Sequence, residues 1–311
     1  MPTALINDPV YLEHQTGQHP ENGERHRAIL SALEADTDLW ERLEHLAPRQ
    51  AGDEDIARCH DERLVDHIRS LCHREVRFLD LDTVISPESY NVARYAAGAA
   101  CVGVDKVFSG EATNAFAFVR PPGHHATFAQ AMGFCLFNNA AIAARYAQAK
   151  HGAERVLVID WDVHHGNGTQ DIFYADPSVF YFSTHQYPYY PGTGATNERG
   201  EGAGEGRTLN VPLSQGTSAR SHREAFSDAL AEIEKVFPPD LIIISAGFDS
   251  RRGDPLGGLM LEDSDFYEMT KQVMELAARH AEGRVVSILE GGYNLSTLGE
   301  TVRTHVFALS S

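Results

Sequence analysis

Lysine is nearly absent from this 311-residue chain: four occur, at positions 106, 150, 235 and 271, beside 22 arginines. Acidic side chains outnumber basic ones 44 to 26, leaving a formal net charge of −18. That balance argues against direct nucleic-acid binding and against docking on an anionic membrane, because neutralising phosphates needs basic patches. Cysteine is scarce as well. Cys59, Cys72, Cys101 and Cys135 show no CxxC spacing, so reduced thiols in a cytoplasmic protein are expected. No stretch of about 18 apolar residues is present, so no transmembrane helix is expected. The opening Met1-Pro2-Thr3-Ala4-Leu5-Ile6-Asn7-Asp8 lacks a basic segment followed by an apolar one, and no secretory signal is expected. No repeat, low-complexity tract or linker interrupts the chain, which points to a single domain over residues 1–311.

What is present is a rhythm. Apolar, β-branched runs bounded by turn residues recur at 115–119, Val156–Asp160, 179–183, 241–245 and Val285–Leu289, with a short strand near Thr3–Ile6. Helical patterns fall between them at 89–108, 138–150, Ala219–Val236 and 264–281. Strands alternating with helices predict a mainly parallel sheet covered on both faces. Residues 187–207, rich in glycine, read as a loop. The first 80 residues carry more charge and helical signals and are expected to wrap the sheet.

In such sheets ligands sit beyond the carboxyl ends of the strands, and that is where the polar clusters fall. Strand 115–119 runs into Arg120-Pro121-Pro122-Gly123-His124-His125, and Val156–Asp160 into Trp161-Asp162-Val163-His164. Strand 241–245 leads to Asp249, and Val285–Leu289 to Glu290-Gly291-Gly292-Tyr293. Asp162 and His164 are two apart, so both can face one side, and Asp249 could be a third metal ligand. Carboxylate plus imidazole suits zinc, iron or cobalt, and three protein ligands leave a position open for chemistry. Either reading of a lone Asp-x-His, ligand pair or surface loop, would stand. The histidines, Asp249 and Tyr293 on neighbouring strand ends favour the ligand. A histidine of the 124–125 pair could take a proton from water and return it to a leaving amine. Tyr293 could donate to a developing oxyanion.

The segments RPPGHHA (120–126), GFCLFNNAAIAA (133–144), DWDVHHGNGTQDIFY (160–174), PGTG (191–194), SAGFDSRRGDPLGG (245–258) and LEGGYNL (289–295) resemble the histone deacetylase superfamily. The likeness is strongest to its class II branch and bacterial relatives, and runs from His19-Pro20-Glu21 to Tyr293. It implies an arginase/deacetylase-like three-layer α/β/α fold with a central eight-stranded sheet. It also implies zinc on Asp162, His164 and Asp249, His125 as general base and acid, and His124 as an electrostatic partner held by Asp160. Asn167 stands where the family supports His125, and Tyr293 matches the oxyanion donor. A structural potassium is implied as well, around Asp160, Asp162, His164, Ser183 and Thr184. Arg25 aligns with an arginine near the family's acetate exit, a surface ion pair being the competing account.

The resemblance also bears on substrate. Two-metal relatives need further carboxylates where this chain has Gly166 and Arg251, so one catalytic ion is expected. Tyr293, rather than the histidine of a less active branch, favours turnover. Phe134 and Tyr190 match the aromatic walls of the family's tunnel, with Gly133 beside them and Asp82 on a rim loop. Core packing is the competing account for both rings, and a solvated or capping acid for Asp82. A polyamine-selective branch carries a glutamate where this chain has Leu256. The expected substrate is therefore an acylated lysine of a protein or peptide. A small acylated amine, or a silent acyl-lysine binder, is the alternative. Oligomeric state is left open between monomer and homo-oligomer.

Overall fold

A computed structural model of the chain describes residues 2–311. Its strands are β1 (Thr3–Ile6), β2 (Leu43–Leu46), β3 (Asn114–Ala117), β4 (Val156–Asp160), β5 (Val179–Gln186), β6 (Thr208–Leu213), β7 (Leu241–Ala246) and β8 (Val285–Leu289). They form one sheet in the order β2-β1-β3-β8-β7-β4-β5-β6, and every neighbouring pair is parallel. The helices are α1 (Gly23–Ala35), α2 (Thr37–Trp40), α3 (Asp53–Ala57), α4 (Glu62–His73) and α5 (Ser89–Ser109). After them come α6 (Asn139–His151), α7 (Asn167–Phe173), α8 (Ala219–Val236), α9 (Asp263–His280) and α10 (Leu298–Leu309).

Strand side chains alternate between the faces, so the sheet feeds two cores. Val156, Val158, Ile243 and Val286 pack with residues of α4, α5 and α6. Leu157, Ile159, Ile242 and Ile244 pack with residues of α1, α8, α9 and α10. Burial on both faces is why the inner strands read as unbroken apolar runs. The result is the three-layer fold that the resemblance implied.

The sequence expectation misses β2, β6, α7 and α10. Strands β2 and β6 are the sheet edges. β2, Leu-Glu-His-Leu, is mostly half-buried or exposed, and β6 carries Pro212, so neither shows the apolar run of an inner strand. Strand β5 runs three residues past its expected end at 183, to Gln186.

All strands being parallel, their carboxyl ends share one edge. β3, β8, β7 and β4 are adjacent in the middle of the sheet. The four polar clusters therefore open onto a single crevice.

Candidate active site

Beyond β4 the chain turns so that Asp162, His164 and Asp249 converge, their ligating atoms lying within 4.8 Å of one another. Backbone amides fix both carboxylates, and the His164 N–H donates to Asp162 Oδ1 at 2.9 Å. The Gly291 N–H donates to Asp162 Oδ2 at 2.9 Å, and the Val163 N–H to Asp249 Oδ1 at 2.8 Å. Asp162 Oδ1 and Asp249 Oδ2 face inward. Asp162 Oδ1 lies 3.0 Å from His164 Nδ1, and Asp249 Oδ2 lies 3.3 Å from it. Asp249 Oδ2 is buried without a hydrogen-bond partner. Glycine is required around them: a Cβ on Gly291 would stand 2.1 Å from Asp249 Oδ2.

Electrostatics there call for a cation. Burial works against a charge on His164, yet Asp162 and Asp249 outweigh it and push the ring up to about 10. Burial and the Asp162 charge push Asp249 up to about 7. An orphaned inward oxygen, a second carboxylate and an imidazole fit one divalent zinc-like ion. Arg251 turns to Asp263, its Nε 2.7 Å from Oδ1, and adds nothing for a second ion. Among the described residues this is the one such group of three.

The histidine pair follows β3. Glu290 Oε2 accepts the N–H groups of Gly123 and His124 at 2.6 and 3.2 Å, which pins the turn. His124 Nδ1 meets Asp160 Oδ2 at 3.0 Å. Burial opposes its charge, but Asp160, Asp162 and Glu290 raise His124 to about 10. His125 differs. Its Nδ1 meets Asn167 Oδ1 at 2.8 Å, so Nδ1–H is the donor and Nε2 keeps its lone pair. Burial, His124 and His164 hold its pKa well below the usual histidine value. Past β8, Tyr293 lies edge-on to Phe134, with ring centroids 5.9 Å apart. Burial keeps its phenol protonated.

The histone deacetylase domain model matches residues 19–309. This chain belongs to the histone deacetylase family. It is 40% identical over 326 residues to the rice protein named histone deacetylase 10, chloroplastic, covering 97% of this chain and 73% of that one. It is 41% identical over 277 residues to a histone deacetylase-like amidohydrolase of Pseudomonas aeruginosa, covering 89% and 73%. The solved HDA15 HD domain superposes with a TM-score of 0.94 at 39% identity, covering 99% of this chain and 88% of that one. The family supports deacetylase or amidohydrolase activity on acetylated lysine or a related amide.

In this deacetylase-family chain His164 of the trio, His125 and Tyr293 line a cavity of about 220 Å³. Gly133, Phe134, Tyr190, Leu256 and Asp82, the expected substrate residues, all line it. The core-packing account of Phe134 and Tyr190 is thereby set aside. Gly133 adopts φ +57, and a Cβ there would lie 2.5 Å from His125 Cδ2. Tyr189 also lines the cavity and stacks on the His164 ring at 5.5 Å, a contact the sequence reading missed although Tyr189 adjoins Tyr190. Glu290 and Asp254 were missed too. Each is a lone acid in a glycine-rich motif, and only the tertiary contacts show what it holds.

Arg25 is not in a surface ion pair. It is fully buried, donates to Gly292 O and Glu290 O, and stands 4.9 Å from the Tyr293 ring centre. Of the expected potassium residues, Ser183 is the register partner of Asp160, with its hydroxyl on His185 at 2.9 Å. Thr184 faces the other side, where its hydroxyl meets His222 of α8 at 3.0 Å.

Proposed function

We propose that residues 1–311 form one catalytic domain that removes acetyl or related acyl groups from lysine side-chain amides of proteins or peptides. One observation carries the reading. His164, grouped with Asp162 and Asp249, lines a single aromatic-walled cavity together with His125 and Tyr293.

Zinc held by Asp162, His164 and Asp249 would act as the Lewis acid toward carbonyl and water. The chain's own residues do the rest. Phe134 and Tyr190 flank the lysine methylenes and exclude water. His125 Nε2 takes a proton as the water oxygen bonds to the carbonyl carbon. Tyr293 donates to the oxyanion that forms. The C–N bond then breaks as His125 returns its proton to the amine nitrogen, leaving acetate and free lysine. His124, charged against Asp160, favours a neutral His125 before the reaction. Asp160, Asp162, His164, Ser183 and Thr184 would be the residues to hold a structural potassium.

We further propose a cytoplasmic setting, where the four buried cysteines stay as free thiols. No helix among the described residues is long and apolar enough to cross a membrane. A surplus of 18 negative charges suits cationic peptides as partners.

The test is kcat/KM of the zinc-loaded protein on an acetyl-lysine peptide, with acetylspermidine run beside it. Peptide turnover well above polyamine turnover is expected, and the reverse ratio would move the reading to small acylated amines. Tyr293→Phe should lower kcat on the order of 10²–10³-fold, the usual loss for an oxyanion donor. Unchanged turnover would remove Tyr293 from that role.

A further inference from the structure

We propose that Asp254 is a positioning residue of this site: its carboxylate fixes the turn that carries Tyr293 and the neighbouring wall residue Leu256. The inference rests on the reading of Tyr293 given above. Asp254 lies on the loop after β7, five residues beyond Asp249, and is buried. Its oxygens serve two different loops. Oδ2 accepts the N–H groups of Tyr293 at 2.7 Å and Asn294 at 3.1 Å. Oδ1 accepts the N–H of Leu256 at 2.8 Å.

The Tyr293 turn needs such a hold. It is entered through Gly291 and Gly292, and Gly292 adopts φ +118, so the segment has little intrinsic stiffness. Outside partners decide where the phenol stands. Arg25 grips the carbonyls of Glu290 and Gly292 from one side. Asp254 grips the amides of Tyr293 and Asn294 from the other. Two further bonds tie the same loops together, Asn294 Nδ2 to Gly253 O at 2.8 Å and Phe248 N–H to Gly291 O at 3.0 Å.

The chemistry explains why an acid stands there. A carboxylate presents acceptors at both ends, so it can take N–H groups from two loops at once. Asparagine would turn its NH₂ toward one of them and lose that bond. A single side chain thus links the oxyanion donor to the wall residue at position 256.

The test compares D254A and D254N with Y293F and with the Y293F/D254A double variant, on the zinc-loaded protein and an acetyl-lysine peptide. D254A should lower kcat on the order of 10²-fold, the cost of a misplaced group. D254N should lower it on the order of tenfold, because part of the clamp survives. In the Y293F background, D254A should cost less than about threefold, because its effect passes through the phenol. Wild-type kcat in D254A, or an undiminished loss in the Y293F background, would overturn the proposal. Amide hydrogen exchange gives a readout apart from activity. Exchange at Tyr293 and Asn294 should speed up at least about tenfold in D254A, while Val163 keeps its rate. Should D254A fail to fold, D254N decides: a full-rate enzyme with wild-type exchange at Leu256, Tyr293 and Asn294 would overturn the clamp. If the wild-type protein does not turn over the peptide, the functional reading falls by itself. Exchange at Tyr293 and Asn294 then sustains or overturns the clamp.

Discussion

Two sets of buried histidines differ in what faces them. In the cleft, His124 stands against Asp160, and His164 against Asp162 and Asp249. In the seam between α9, α10 and β8, His305 bridges two hydroxyls: Nδ1 meets Thr270 Oγ1 at 2.7 Å, and Nε2 meets Ser287 Oγ at 2.8 Å. Burial pushes His305 down to about 3, so its ring is neutral. His222, on the Thr184 hydroxyl, is likewise pushed down by burial, to about 4. Both sets are buried, so burial does not separate them; the partner does. Hydroxyls satisfy a ring without charging it, which is all that packing requires. Carboxylates concentrate charge in a poorly solvated place, an arrangement that costs stability and clusters at functional sites. His125 lies between the two patterns. The Asn167 amide oxygen orients its ring without charging it, which is what a general base needs.

The contrast is most easily broken at His125. Its replacement by alanine should lower kcat about 10²- to 10⁴-fold. Zinc content should stay at the wild-type level, because Asp162, His164 and Asp249 are untouched. Steady-state kinetics together with metal analysis check both halves. Loss of metal along with activity would place His125 in the holding set instead.

The seam gives the opposite signature, in stability. His305 titrates near 6.5 when unfolded and at about 3 when folded. The unfolded chain therefore binds more protons below pH 6.5. The neutral ring's stability is complete above pH 6.5 and is lost as pH falls toward 3, by up to about 1.4 kcal/mol per pH unit. His305→Phe keeps an aromatic ring beside Phe116, Trp161 and Phe248 but strands the Ser287 hydroxyl. At pH 7 it should cost about 1–3 kcal/mol. By pH 5 that deficit should shrink by about 2 kcal/mol, because the variant has no ring to protonate. Urea unfolding at both pH values measures it. A constant deficit would mean that His305 does not fold as a neutral ring.

The contrast also shows how much was legible. The inner strands β4, β7 and β8 could be read directly from local runs, and the pairing of Asp162 with His164 from their spacing, whereas Asp249 joined them only through its strand end and the motif around it. His124 and His125 were legible through the rigid Pro-Pro-Gly turn and the motif around it. His305 and His222 carry no such signal; each sits in an ordinary amphipathic helix, and only packing reveals its hydroxyl partner. Glu290 and Asp254 were hidden for the same reason, since their ligands are backbone amides that leave no trace in residue type. The edge strands β2 and β6 were missed because an edge does not bury both faces. A surface ion pair stayed open as the competing account of Arg25 because the carbonyls it grips belong to a turn some 265 residues later.

The smallest effect tests whether the partner rule extends from the protein's own cations to those of a substrate. Leu256 offers an apolar face at the cavity wall, beside exposed Tyr189 and Tyr190. A lysine methylene chain needs no more than that. A polyamine brings a second ammonium, which would pass Leu256 without a partner, as a histidine would if it had no carboxylate. Leu256→Glu supplies one. A charge-assisted contact of about 1.5 kcal/mol should raise the ratio of kcat/KM on acetylspermidine to that on an acetyl-lysine peptide roughly tenfold. The effect should weaken at high salt, as a half-shielded ion pair does. A ratio that does not move would show that charge at this wall does not select the substrate. Selection would then lie with the aromatic residues and Asp82 at the mouth.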